Sequence, residues 1–275
     1  MESDRKSAER SYLFVPADRP ERFRKALGAG ADAVVVDLED AVPAEGKSAA
    51  RDQVANWLGD GTRVIVRING DGTRWHADDL RLCIHPAVVQ VMVPKAEAPD
   101  ALTACSQAAG GKRVLALLET AKGIAGARAI ATTACVQRLV FGSLDLQLDL
   151  GIDGDDHELL AWRSELVLAS RLGELIAPVD GVTPGIGDDS QLARDAERAR
   201  KLGFGGKLCI HPHQLAAVHA AFTSPDSEIQ WARRVIEASQ RSGGGAVALD
   251  GKMVDLPVVR KAQAVMQRAQ RITAS

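Results

Sequence analysis

The sequence predicts an α/β fold, a single (β/α)8 barrel with a C-terminal helical extension, and three observations predict it. The chain has 275 residues, which suits one barrel of about 250 residues better than two average domains. Eight short runs rich in Val, Ile and Leu alternate with amphipathic, Ala-rich stretches. Ionisable residues gather where those runs end.

The apolar runs cover residues 12–16, 33–38, 63–68, 88–93, 114–118, 138–141, 179–182 and 207–210. Helical patterning follows each in turn, at 20–27, 47–58, 74–82, 100–108, 123–131, 158–175, 190–202 and 214–221. Strands read as unbroken apolar runs when a parallel sheet is covered on both faces. Strand–helix alternation implies right-handed crossovers and parallel pairing. Eight such units in about 220 residues fit a closed barrel; an open doubly wound sheet is the alternative. Gly28 and Gly30 after the first helix, and Gly203, Gly205 and Gly206 after the seventh, are placed for left-handed C-caps. Pro20, Pro99 and Pro212 stand near helix starts, where a missing N–H costs nothing.

The barrel is expected over residues 1–222 and an extension over 223–275. The extension reads as a helix at 226–241, a glycine break at 243–245, a hairpin-like apolar patch at 246–249 and a last helix at 257–271. A barrel closes without these elements, so the tail is expected to pack elsewhere, as a lid or on a neighbouring subunit.

Composition narrows the function. Lys plus Arg (34) nearly balances Asp plus Glu (36), for a net charge of −2, and no basic run marks a nucleic-acid footprint. No apolar stretch approaches the roughly 20 residues a bilayer requires, and the polar N-terminus lacks the apolar segment of a signal peptide. A soluble, cytoplasmic protein is expected. Cys83, Cys105, Cys135 and Cys209 show no CxxC or zinc-ligand spacing and read as small buried hydrophobes in a reducing compartment. No GxSxG, Walker loop or GxGxxG is present, which disfavours serine hydrolases, P-loop NTPases and Rossmann dehydrogenases.

Residues at the C-terminal ends of barrel strands line the active site. Here those ends deliver Asp37, Glu39, Asp40, Glu119 and Asp145 against Arg67, Lys95 and Arg19. Crowded carboxylates repel one another, and a hard cation with oxygen ligands relieves that repulsion; Mg²⁺ takes one or two carboxylates. Glu119 and Asp145 end adjacent runs and so converge on one ion, unless these acids only cap helices or pair with Arg and Lys. Arg67 lies in an apolar run, either bridged to Asp37 or Glu39 or serving as a fork for a substrate carboxylate or carbonyl. His211 is a base or a turn-forming donor. The other histidines have no ligand spacing. Asp149, Asp153, Asp155 and Asp156 form an acidic loop without a full calcium pattern.

Six ordered motifs carry a resemblance. They are Tyr12-Leu-Phe-Val-Pro-Ala-Asp-Arg-Pro-Glu-Arg-Phe, Val36-Asp-Leu-Glu-Asp-Ala-Val, Val66-Arg-Ile-Asn, Val93-Pro-Lys-Ala-Glu, Leu118-Glu-Thr-Ala-Lys-Gly and Cys209-Ile-His-Pro, with Asp250-Gly-Lys-Met-Val-Asp-Leu-Pro in the tail. From about residue 10 to 268 the chain resembles the citrate lyase β-subunit-like family of the HpcH/HpaI aldolase superfamily. The resemblance implies that Glu119 and Asp145 bind the metal, Mg²⁺. It also implies that Arg67 contacts substrate and stabilises an enolate oxygen, and that Phe14, Arg19 and Lys25 contact coenzyme A. Ile210 and His211, in the matching Cys-Ile-His-Pro motif, join the substrate-binding set. Asp255 matches an acid/base delivered to an adjacent subunit, which implies homotrimers or hexamers. One departure stands out. Relatives often carry Gly-Ala-Glu-Asp-Leu where this chain has Gly142-Ser-Leu-Asp-Leu, so the acid before the metal Asp is Leu144.

The activity implied is Mg²⁺-dependent carbon–carbon cleavage of a 3-hydroxyacyl thioester, citramalyl, malyl or citryl, to an oxo acid and an acetyl thioester. The alternatives are a malate synthase-like condensing enzyme, an oxo-acid aldolase acting without a thioester, and a non-catalytic CoA-binding accessory subunit.

Overall fold

The computed structural model describes residues 9–59, 61–243 and 245–273. The polar N-terminus at 1–7, on which the leader-peptide expectation rests, and Gly244 of the glycine break lie outside the described residues.

The first half of the barrel runs β1 (Ser11–Pro16), α1 (Pro20–Leu27), β2 (Ala33–Asp37), α2 (Lys47–Trp57), β3 (Val64–Arg67), α3 (His76–Cys83), β4 (Val88–Val93) and α4 (Pro99–Ala108). The second half runs β5 (Arg113–Leu118), α5 (Ala121–Ala125), α6 (Ala127–Ala131), β6 (Val136–Phe141), α7 (Ser143–Leu150), α8 (Leu160–Leu172), β7 (Val179–Asp180), α9 (Asp189–Leu202), β8 (Gly206–Cys209) and α10 (Leu215–Phe222). Every expected strand is present. The eight close into a parallel barrel in sequence order, with β1 meeting β8 at Tyr12↔Leu208; the open-sheet alternative is excluded.

The barrel's interior is filled by alternate residues, because side chains along a strand point to opposite faces. Tyr12, Val35, Ile65, Met92, Leu115, Leu117, Val140, Val179 and Leu208 form this core. Their neighbours Val34, Val36, Val66, Val114, Ala116 and Leu139 are buried too, on the face that the helices cover. Fully burying each such aliphatic side chain contributes roughly 1.5–3 kcal/mol.

Three cations that composition did not mark as buried hold the barrel together. Arg163 lies between Asp180 at 2.9 Å and Asp155 at 2.8 Å. Lys207 donates to the Gly181 carbonyl at 2.7 Å and sits 3.6 Å from Asp180. Arg138 donates to the Tyr12 hydroxyl at 2.8 Å and to the Glu9 carbonyl at 2.7 Å, where the strands begin. Burial pushes the Tyr12 phenol up to about 12.

Several boundaries differ from expectation. The helix expected at 123–131 is two short ones broken at Gly126, and α8 stops at Gly173, whose Cβ position would strike the Ala131 carbonyl. The helix α7 was not foreseen. Of the proposed left-handed caps, Gly30 (φ +84°) and Gly203 (φ +105°) are left-handed, whereas Gly28 is right-handed and Gly205 and Gly206 are not left-handed. Gly206 is required for a different reason: a Cβ there would lie 2.8 Å from the Glu9 and Arg10 carbonyls. Pro20, Pro99 and Pro212 do occupy first helical turns. Cys83, Cys105 and Cys209 are buried, with thiols pushed up by burial.

The chain divides into two compact units between His219 and Ala220. The C-terminal unit contains α11 (Asp226–Arg241), the antiparallel pair β9 (Val247–Leu249) and β10 (Lys252–Val254), and α12 (Leu256–Thr273). Its own core is Ala232, Val235, Val254, Ala262 and Val265. Asp250 and Gly251 reverse the hairpin with φ of +51° and +73°, as a two-residue Asp-Gly turn requires. No described helix is long and apolar enough to cross a membrane.

Candidate active site

The same alternation that fills the barrel builds its open end. On β5 the inward stripe Leu115, Leu117 continues to Glu119; on β2 Val35 continues to Asp37; on β3 Ile65 continues to Arg67. Asp37 and Arg67 are register partners, so their side chains meet. These residues line a cavity of about 400 Å³, closed on other sides by Phe14, Leu117, Leu208, Ile210 and the start of α7.

Arg67 is clamped. Its Nε donates to Asp37 Oδ1 at 2.7 Å and its Nη2 to Asp37 Oδ2 at 2.6 Å, while Nη1 lies 3.2 Å from Glu39 Oε2 and 3.5 Å from Asp40. Its guanidinium stands 5.0 Å from the Phe14 ring centroid. Burial alone would lower its pKa, but the Asp37 charge overrides this and holds it fully charged. Asp37 is itself held by the backbone N–H groups of Glu39 and Ala41. The cation therefore sits in a fixed orientation.

Glu119 is only 1% exposed. Burial, reinforced by the charges of Glu39 and Asp145, pushes its carboxyl up to about 8. One oxygen accepts the Lys95 N–H at 2.8 Å; Lys95 has φ +47°, a left-handed conformation that costs a non-glycine residue free energy and recurs at functional sites. The Lys95 ammonium donates to Glu39 at 2.9 Å. Burial lowers the pKa of that ammonium, but Glu39 outweighs the effect and raises it. Burial likewise raises Glu39, against the Arg67 charge. The other face of Glu119 rests on Gly142, where a Cβ would lie 2.5 Å from Glu119 Cβ and 2.6 Å from its Oε2. Only glycine allows β5 and β6 to bring Glu119 this close.

Asp145 enters from the first turn of α7 rather than from the strand end itself. With Glu119 it gives two converging carboxylates, one held in a water-poor site where its charge is costly. That donor set fits a divalent cation that keeps part of its shell for water and substrate, as Mg²⁺ does. Among the described residues no group of three or more His, Cys, Asp or Glu is arranged to cage a metal.

Five of the expected site residues line the cavity: Phe14, Arg67, Glu119, Asp145 and Ile210. Four are not among its lining: His211, Arg19, Lys25 and Asp255. His211 is exposed and accepts the His213 N–H at 3.2 Å, so it caps the turn as an acceptor and not as the expected donor. Arg19 is 56% exposed beside Asp18, and Lys25 is exposed on α1. Asp255 belongs to the C-terminal unit, where it caps α12 by accepting the Val258 N–H at 3.2 Å. Three acids of the acidic loop are tied within the fold: Asp149 accepts the Ala121 N–H, Asp155 pairs with Arg163 and Arg198, and Asp156 pairs with Arg198. Lys95 was expected at the rim as a cation, but its N–H bond to Glu119 and the Gly142 cradle were not assigned from sequence, since neither a left-handed lysine nor a steric cradle has a local sequence signal.

The HpcH/HpaI aldolase/citrate lyase family model matches residues 10–212, and a model of carbon–carbon bond lyases of the TIM-barrel fold matches 162–272. The chain belongs to the HpcH/HpaI aldolase/citrate lyase family. It is 38% identical to a citrate lyase subunit beta-like protein of Mycobacterium tuberculosis, over 98% of each chain. It is 33% identical to a (3S)-malyl-CoA thioesterase of Cereibacter sphaeroides, over 96% of each. The crystal structure of CitE from M. tuberculosis with magnesium, acetoacetate and coenzyme A superposes with a TM-score of 0.87 at 37% identity, covering 96% of this chain and 99% of that one.

Proposed function

We propose that the chain is a Mg²⁺-dependent, cytoplasmic carbon–carbon lyase that cleaves a 3-hydroxyacyl thioester to an oxo acid and an acetyl thioester. The observation that carries this is the pair Glu119 and Asp145, facing a clamped Arg67 in one cavity. Magnesium held by the two carboxylates would supply Lewis acidity and a template for the acid half of the substrate. Arg67, immobilised by Asp37, presents positive charge without reorganisation where the thioester oxygen becomes an enolate. As the carbon–carbon bond breaks, the carbinol hydroxyl becomes the oxo group and its proton leaves to solvent, while Asp255, supplied by a neighbouring subunit, gives a proton to the thioester α-carbon; in condensation Asp255 removes that proton and the new hydroxyl takes one from solvent. Arg19 and Lys25, exposed beyond the cavity, suit a phosphate-bearing carrier such as coenzyme A, and Phe14 its acyl end. Ile210 in the lining and His211 next to it in the chain complete the substrate-binding set. Delivery of Asp255 between subunits makes the working unit a homotrimer or hexamer.

Purified protein incubated with citramalyl-, malyl- and citryl-CoA should release acetyl-CoA, lose this in EDTA and regain it with Mg²⁺. Release of free CoA with the acid left intact would instead mark a thioesterase, and no turnover of any thioester in Mg²⁺ would overturn the reading.

A further inference from the structure

The cavity holds more negative charge than it can pair. Its cation Arg67 is engaged by Asp37 through two nitrogens, and Lys95 beside it is engaged by Glu39. The remaining wall is mostly apolar, from Leu117, Leu208, Val182 and Leu144, with Ser143 as its uncharged polar member. Leu144 occupies the first turn of α7, next to Asp145, and is 47% exposed into this space. An aliphatic side chain left in water beside two carboxylates gains when a ligand covers it, at roughly 25 cal/mol per Å².

We infer that Leu144 makes the site selective for an acid half bearing an uncharged alkyl group on the carbinol carbon, against one bearing a second carboxylate. This rests on the lyase reading and narrows its substrate. With one carboxylate and the hydroxyl oxygen held through a magnesium ion on Glu119 and Asp145, the third substituent would face the side chain beside Asp145 in the lining, Leu144. An alkyl group there covers Leu144. A carboxymethyl group brings a charge that no cation lining the cavity is free to pair, and burying an unpaired carboxylate is expensive.

The test uses the whole protein with Mg²⁺ and a matched pair of oxo acids, 2-oxobutanoate and oxaloacetate, which differ in a methyl replaced by a carboxylate. Calorimetry should give at least tenfold tighter binding of 2-oxobutanoate, with pyruvate between the two or equal to it. Leu144→Arg should invert the order, strengthening oxaloacetate by tenfold or more, while Leu144→Met should leave it unchanged. Oxaloacetate binding as tightly as 2-oxobutanoate to the unaltered protein overturns the inference, as does failure of both acids to bind. Alkyl-selective binding with no thioester cleaved sinks the lyase reading and leaves the selectivity standing.

Discussion

Gly142 and Glu119 show how far single atoms set this site. The space that an alanine Cβ would occupy at 142 lies 2.5 Å from Glu119 Cβ, and both residues directly follow adjacent strands of a closed barrel that cannot part. Gly142→Ala should therefore cost about 1–3 kcal/mol of stability by overpacking and weaken Mg²⁺ binding, read by urea unfolding and calorimetry on the same sample. A variant that unfolds like the parent and binds Mg²⁺ equally would contradict the cradle. Glu119 itself makes stability depend on pH. Its folded pKa, about 8, is raised above the ordinary 4.5, so between these values the folded state holds the extra proton. The metal-free protein draws full stability from this below pH 4.5, loses it progressively as pH rises, and has none left above about 8. Glu119→Gln should flatten that decline in thermal melts across pH 5–8. Mg²⁺, by displacing the same proton, should bind more tightly as pH rises over this window.

Among the elements, α7 was the hardest to foresee, and the reason is physical. Residues 143–150 read Ser-Leu-Asp-Leu-Gln-Leu-Asp-Leu, an alternation with the period of a strand. As a helix the segment buries Leu146 and leaves Leu144 and Leu148 exposed, so its hydrophobic pattern fails locally while its position succeeds: the first turn carries Asp145 to Glu119. Such a conflict between pattern and structure is expected at functional sites. By contrast β5 was legible, because Leu115, Leu117 and Glu119 keep one period-two stripe from core to cavity. Asp37 and Arg67 were legible for the same reason, whereas Asp145, expected at a strand end, comes from α7. The turn after β4 was not, since nothing in Val-Pro-Lys-Ala signals that Lys95 adopts φ +47°. Glycine adopts that conformation without strain and a β-branched residue does so poorly. Lys95→Gly should unfold in urea within about 1 kcal/mol of the parent, and Lys95→Val should be destabilised by about 1–3 kcal/mol. Equal stability of the two would mean that the turn relaxes.

At the scale of the whole molecule, the question is whose barrel Asp255 serves. The C-terminal unit has its own core, and Asp255 already has a structural duty as the cap of α12. Asparagine caps helices about as well as aspartate, so Asp255→Asn separates the two duties: the fold should survive, with kcat falling at least a hundredfold while Mg²⁺ binding is kept. Asp255→Ala should lose the cap as well, at a cost of about 1 kcal/mol. A variant lacking Asp255 and one lacking Glu119 are each defective at every site when alone. If the acid crosses between subunits of a cyclic oligomer, mixed refolding of Asp255→Asn with Glu119→Gln places an intact Glu119 opposite an intact Asp255 in about a quarter of sites. Activity should then rise from near zero in either pure sample to about a quarter of the parent's in the mixture. If each tail serves its own barrel, no mixture regains activity, because every site carries one of the two lesions. Mixing without refolding separates slow exchange of subunits from true failure to complement.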